Sequence, residues 1–239
     1  MNTEILTIPC LADNYAFLLH CNETGTTALI DAPEAAPVLA ALTAKGWALD
    51  MVLLTHHHWD HVDGLPEILA RTSPKIVGAA KDADRLPALD IALNEGDEIA
   101  VGNLKGRVID VSGHTINHIA YAFAGAVFTG DSLFALGCGR VFEGTKEMMH
   151  NSLQKLAALP PDTMVYSGHE YTLGNAKFAL TVEPENAGLQ ARVKDVERLR
   201  AAGLPSVPSL LALELATNPF IRAKDAADFT RIRTAKDNA

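Results

Sequence analysis

Four histidines and an aspartate fall within Thr55-His56-His57-His58-Trp59-Asp60-His61, directly after the apolar run Met51-Val52-Leu53-Leu54. The run is continuous rather than alternating and stops at a polar cluster, the pattern of a short strand buried on both faces. A loop leaving such a strand can turn His56 and His58 to one side. Asp60 and His61 follow where the chain enters a helix with Pro66 near its first turn. Imidazoles and a carboxylate converging on one point are the donors a borderline divalent cation takes. Burying them together without a cation is costly, so the chain must fold into something that opens a polar site at the end of a core strand.

Three further fragments repeat the idea. Val108-Ile109-Asp110-Val111 runs into Ser112-Gly113-His114-Thr115, Val127-Phe128-Thr129 into Gly130-Asp131-Ser132, and Met164-Val165-Tyr166 into Ser167-Gly168-His169-Glu170. Each is an apolar strand, then a glycine that lets the backbone approach a crowded site, then a potential ligand. One such fragment is an ordinary turn; three beside the histidine cluster point to one assembled site. His56, His58, His61, His114, His169, Asp60 and Asp131 make seven donors. That exceeds one tetrahedral zinc and suits two metals sharing a carboxylate and a hydroxide. The other four histidines, His20, His57, His118 and His150, are read first as structural or surface groups, with support of the ligating side chains as the alternative for His57 and His118. Asp31 closes a strand and either orients a ligand imidazole or caps a helix; position favours the cap.

Strand-like runs occupy 5–8, 15–19 and 27–30, and an Ala-rich helix runs from Pro33 to Lys45, halted at Gly46. A helix continues from the histidine cluster to about Arg71, a strand follows at 75–78, and residues 81–96 show no clear element. Strands at 98–101, 104–111, 118–123 and 126–129 precede a helix over 146–159, closed by Pro160-Pro161, and a strand at 164–166. Two groups of strands, each followed by helices, imply two sheets packed face to face with helices outside. From Tyr171 onward only helical stretches remain, near 171–181, 186–202, 208–216 and 225–237. The expected division is therefore 1–170 and 171–239.

The 239-residue chain, 48% hydrophobic and 21% charged, can bury a sizeable core. Its net charge of −9 argues against a nucleic-acid groove, which needs a basic stripe, but not against a small anionic ligand held by a few local cations. The cysteines, Cys10, Cys21 and Cys138, are odd in number and lack metal-site spacing, as in a reducing cytoplasm. Met1-Asn2-Thr3-Glu4 does not read as a signal peptide, and the uncharged stretch Ile119 to Gly130 is too short to span a bilayer. A soluble, cytoplasmic monomer without nucleic-acid or membrane partners is expected.

Taken together, the fragments resemble the metallo-β-lactamase superfamily, whose signature is His-x-His-x-Asp-His with downstream His, Asp and His. Within it, Thr55-His56-His57-His58, Gly113-His114-Thr115, Gly130-Asp131-Ser132-Leu133-Phe134, Gly137-Cys138-Gly139-Arg140, Phe142-Glu143-Gly144-Thr145 and Gly168-His169-Glu170-Tyr171-Thr172 look like the glyoxalase II, or hydroxyacylglutathione hydrolase, family. Val182-Glu183-Pro184-Glu185-Asn186 and Asn218-Pro219-Phe220-Ile221-Arg222 match it too. The resemblance implies an α/β fold, a four-layer αββα sandwich with a C-terminal all-helical domain.

It also implies two divalent ions per chain, zinc first, with iron or manganese tolerating the same ligands. His56, His58 and His114 would hold one ion, Asp60, His61 and His169 the other, and Asp131 would bridge them. A hydroxide held by way of Asp131 and Asp60 would attack the thioester of S-(2-hydroxyacyl)glutathione. S-lactoylglutathione would give lactate and glutathione, the second step of methylglyoxal detoxification. Arg140, Tyr171, Arg233 and Lys236 would bind the glutathione, with Phe142 standing where some members carry a tyrosine. Asp63 and Asn117 replace glycines common in the pattern; Asp63 can serve as a helix cap and asparagine tolerates left-handed backbone. Cys138 lacks a dedicated histidine partner, which disfavours a covalent route. A lactonase, a β-lactamase or an iron persulfide dioxygenase on the same scaffold are the alternatives.

Overall fold

The computed structural model describes residues 2–239. Two compact units are formed, one by the chain up to Asp110 with Ile119–Ala124, the other by Val111–His118 with Gly125–Ala239.

In the first unit β1 (Thr3–Cys10), β2 (Asn14–Cys21), β3 (Thr27–Ile30), β4 (Met51–Leu53), β5 (Lys75–Ala79) and β6 (Ile91–Leu93) lie side by side in that order. β1, β2 and β3 pair antiparallel, whereas β3 to β6 pair parallel. Every residue of β3 and β4 is buried, as an apolar run without alternation requires. Helix α1 (Ala35–Lys45) ends at Gly46, whose left-handed φ of 67° lets its N–H return to Leu42 and Thr43. Ala35, Val38 and Leu42 pack into one cluster with Leu18, Leu29, Val52 and Leu54. Each buried aliphatic side chain contributes roughly 1.5–3 kcal/mol, so the ends of the central strands are held firmly. A second ladder, β7 (Glu98–Val101), β8 (Leu104–Asp110) and β9 (Ile119–Phe123), is antiparallel throughout.

The single helix expected after the histidines is two, α2 (Trp59–Val62) and α3 (Leu65–Leu69), with Pro66 in the first turn of α3. His61 O accepts from Ala32 N, and Gly64 N donates to Ala32 O, both at 2.8 Å. These bonds take the groups a continuous helix would have used. Asp63 therefore stands at the C-terminal end of α2 and does not cap α3, which begins from Gly64. The stretch 81–96 holds β6 and the end of a short 3-10 turn, Ala80–Asp82.

In the second unit β10 (Ala126–Gly130) precedes a small hairpin, β11 (Leu133–Phe134) and β12 (Gly137–Cys138), and helix α4 (Lys146–Ala157). β13 (Met164–Ser167) pairs parallel with β10. Helices α5 (Thr172–Val182) and α6 (Ala187–Ala201) follow, then β14 (Ser209–Leu210), α7 (Leu211–Thr217) and α8 (Ala226–Asp237). The tail thus contains a strand the sequence did not announce, pairing Ser209 with Val165 and Leu210 with Met164. Thr145, Asn186 and Asp225 cap α4, α6 and α8 by accepting from backbone N–H groups three residues on. Leu136 joins Ala176, Ala179, Leu189, Val193 and Val196 in the core of this unit. Among the described residues no helix is long and apolar enough to cross a membrane.

Candidate active site

In the first unit, β4 delivers Leu54 and Thr55 to the start of the polar loop. Leu54 O accepts from the Tyr121 hydroxyl at 2.8 Å. Burial, with the charge of Asp31, pushes the Tyr121 phenol well above its usual range, so it stays a donor. Asp31 organises the loop from a left-handed backbone, φ 56°. Its carboxylate accepts from Thr55 N and from Thr55 Oγ1, each at 2.8 Å, and lies 2.8 Å from His61 Nδ1. The cap favoured by its position is not formed, since Glu34 is the N-cap residue of α1.

These bonds fix tautomers. His61 gives its Nδ1 hydrogen to Asp31, which makes Nε2 the lone-pair atom. Thr55 donates its own hydrogen to Asp31, so its oxygen accepts from His56 Nδ1 at 3.0 Å, and His56 is set the same way. The His56 ring centroid lies 4.8 Å from that of His58 and 4.2 Å from that of His61. Asp60 Oδ2 is 3.9 Å from His61 Nε2, steadied by Asn14 Nδ2 at 3.2 Å. Asp31, His56 and His61 each bring a donor atom within 4.8 Å of the others, but three donors engage the Asp31 oxygens, so that carboxylate orients rather than ligates. His57 turns instead to the buried Asp82, 3.0 Å away, which also pairs with Arg85.

The second unit brings His114, Asp131 and His169 together, all buried. His114 Nδ1 donates to Arg140 O at 2.8 Å, which again leaves Nε2 as the lone-pair atom. Asp131 Oδ2 is 3.4 Å from His114 Nε2 and 3.3 Å from His169 Nε2. His118 takes the supporting role that was its alternative from sequence, because its Nε2 accepts from Asp131 N at 3.1 Å. Its only sequence signal was its place just beyond His114. Asn117 adopts φ 68°, the left-handed backbone a glycine would otherwise supply. Two glycines are required by close approach: a Cβ on Gly113 would lie 2.7 Å from Met149 Cβ, and one on Gly139 only 1.9 Å from Asp131 O. His20 and His150 serve packing, stacked on Trp47 and set against Phe229 respectively.

Beside His169 a cleft of about 360 Å³ is lined by Phe134, Cys138, Arg140, Tyr171, Arg233 and Lys236, among others. Four of the five residues singled out for substrate binding therefore share one cleft. The fifth, Phe142, lies edge-on to His114 with centroids 5.2 Å apart and under the Arg140 guanidinium at 5.8 Å. Tyr171 stacks on His169 at 4.6 Å. Arg233 is buried in the wall, donating to Cys138 O at 3.0 Å and Asp237 at 2.9 Å. Arg140 extends into solvent. Partial burial and the charge of Arg233 lower the pKa of Lys236. Burial pushes the Cys138 thiol to about 11 despite Arg233, so it is no nucleophile at neutral pH.

Each unit by itself presents imidazoles turned by a backbone, hydroxyl or carboxylate oxygen, plus an acidic oxygen, and neither set includes a cysteine. That is the chemistry of a divalent cation taking nitrogen and oxygen donors, not of a thiolate site. Residues 15–169 match the family described as "Metallo-beta-lactamase superfamily", and residues 170–239 match "Hydroxyacylglutathione hydrolase C-terminus". The chain is 59% identical to a hydroxyacylglutathione hydrolase of Jannaschia sp. (strain CCS1), covering 98% of each. It is 54% identical to one of Ruegeria pomeroyi, covering 100% of each. Among solved structures, ETHE1 from Myxococcus xanthus is similar at a TM-score of 0.75 and 27% identity, covering 98% of this chain and 90% of that one.

Proposed function

Because the chain belongs to the hydroxyacylglutathione hydrolase family of the metallo-beta-lactamase superfamily, we propose that it hydrolyses S-(2-hydroxyacyl)glutathione, converting S-lactoylglutathione to lactate and glutathione. It is a thioester hydrolase with the α/β fold class of that superfamily and a helical C-terminal region. The observation that carries the substrate reading is likeness over the whole length, 59% identity across 98% of the chain, helical tail included. The three cations Arg140, Arg233 and Lys236 around one cleft suit an anionic tripeptide in an otherwise acidic chain.

The cofactor is a divalent metal. We assign two ions, one to His56, His58 and His114, the other to Asp60, His61 and His169, with Asp131 shared. Zinc fits these donors, and iron or manganese would accept them too. When bound, such ions would supply a hydroxide nucleophile near neutral pH and draw charge from the thioester carbonyl.

The chain's own residues prepare that chemistry. Asp31 and Thr55 hold the tautomers of His61 and His56, and Arg140 O holds that of His114. His118 fixes the turn that carries Asp131. Arg140 and Lys236 attract the carboxylates of the tripeptide, while Tyr171, stacked on His169, guides its thioester end toward that imidazole. We read residues 1–170 as the metal-bearing part and 171–239 as the glutathione-bearing part; in support, the two family matches meet between 169 and 170. A cytoplasmic monomer that needs no partner beyond its small substrate fits three free, buried thiols.

Thiol release tests this directly. The purified chain should turn over S-lactoylglutathione with a kcat/KM at least ~100-fold above that for a lactone or a β-lactam. A preference for the lactone, or oxygen consumption with a persulfide in place of hydrolysis, would reassign it.

A further inference from the structure

We infer that Glu214 and Asn218 are positioning residues for substrate recognition: from outside the cleft they set the backbone of the β11–β12 turn, which builds one of its walls. The inference rests on the thioesterase reading and adds residues to it.

The turn is strained. Leu136 has φ 58°, a left-handed conformation that branched side chains seldom adopt, while its side chain is fully buried in the core of its unit. Such a conformation persists only where the surroundings impose it, and here side chains from the C-terminal segments do so. Glu214 accepts from Leu136 N at 2.9 Å. The Asn218 amide donates to Phe134 O at 3.1 Å and to Gly137 O at 3.0 Å. Asn175 donates to Ala135 O at 3.2 Å, and Arg233 to Cys138 O at 3.0 Å. Every residue from Phe134 to Cys138 thus has a backbone group held by a side chain distant in sequence.

The clamp is itself built around a buried charge. Glu214 is fully buried and accepts from Arg192 and from Ser209 Oγ, and Arg192 in turn donates to Thr217 Oγ1 at 2.8 Å. Apolar residues of similar volume would hold a core as well as a buried ion pair does. What apolar residues could not do is hold the N–H and carbonyl groups of this turn. Phe134 and Cys138 line the cleft and Arg140 follows shortly after, so the turn sets where the tripeptide contacts stand. Displacements of about 1 Å in such contacts are enough to be read in kinetics.

Asn218→Ala and Glu214→Gln should be assayed on S-lactoylglutathione and on S-lactoyl-N-acetylcysteamine, which carries the same acyl group without the tripeptide. KM for the glutathione substrate is expected to rise about 5–10-fold with kcat within ~2-fold. kcat/KM for the short thioester should stay within ~2-fold of wild type, with bound metal unchanged. Equal losses on both substrates, or an unchanged KM, would overturn the inference. Should Asn218→Ala fail to fold, Glu214→Gln keeps the side chain's size and decides by the same criteria. A wild-type chain inactive on both thioesters would remove the thioesterase reading instead. Calorimetric binding of glutathione would then decide this one, weaker binding in the variants supporting it and equal binding overturning it.

Discussion

Asp131→Ala is expected to lower kcat on S-lactoylglutathione by about 10³-fold or more and to reduce the metal held per chain. Its Oδ2 lies 3.4 Å and 3.3 Å from the Nε2 atoms of two buried imidazoles, His114 and His169, so one oxygen serves both. The turn that carries it is fixed through its backbone, by the bond from Asp131 N to His118 Nε2. Removing the carboxylate therefore deletes a charge without deleting the turn. Asp131→Asn separates the two contributions, because it keeps the shape and loses the charge. Both variants should melt near the wild-type temperature in the metal-free state while losing activity. An Asp131→Ala enzyme within tenfold of wild type would remove this residue from the metal-binding set.

The second large effect belongs to Asp31. In Asp31→Ala, Thr55 N, Thr55 Oγ1 and His61 Nδ1 all lose their acceptor in a buried setting. Each stranded donor costs about 1–3 kcal/mol, and alanine tolerates the left-handed φ of 56° less well than aspartate does. Stability in denaturant should fall by several kcal/mol. Metal affinity, measured by competition with a chelator, should fall 10–100-fold, as when other carboxylates behind a ligand imidazole are lost. Asp31→Asn keeps the backbone preference and isolates the carboxylate's contribution. A helix cap would behave differently: its loss costs ~1 kcal/mol and leaves metal affinity alone.

That contrast shows where sequence reading stopped. Capping is a local pattern, visible from a residue and its next few neighbours. The partners of Asp31 lie 24 and 30 residues away and leave no local mark. The strand before the histidines was legible because an unbroken apolar run needs only its own residues, and β4 is buried throughout. That His114, Asp131 and His169 come together was legible from their shared setting, each following a strand and a glycine. The break between α2 and α3 was not, since it depends on Ala32 taking up groups at His61 and Gly64. Two-residue strands such as β11, β12 and β14 carry no periodicity at all. Arg233 lines the cleft, as a ligand-binding cation in the last helix would, but its buried guanidinium also holds Cys138 O, a second task that the helix pattern does not announce. A charge pattern along a helix does not say which charge turns inward.

The reading of the molecule as a metal-dependent thioesterase is tested most directly by stripping the purified chain with a chelator and returning zinc stepwise. Free-thiol release from S-lactoylglutathione and metal bound per chain would be followed together. Activity should vanish with the metal and return as about two ions per chain are taken up. Thioester hydrolysis that persists in a fully metal-free chain would contradict it.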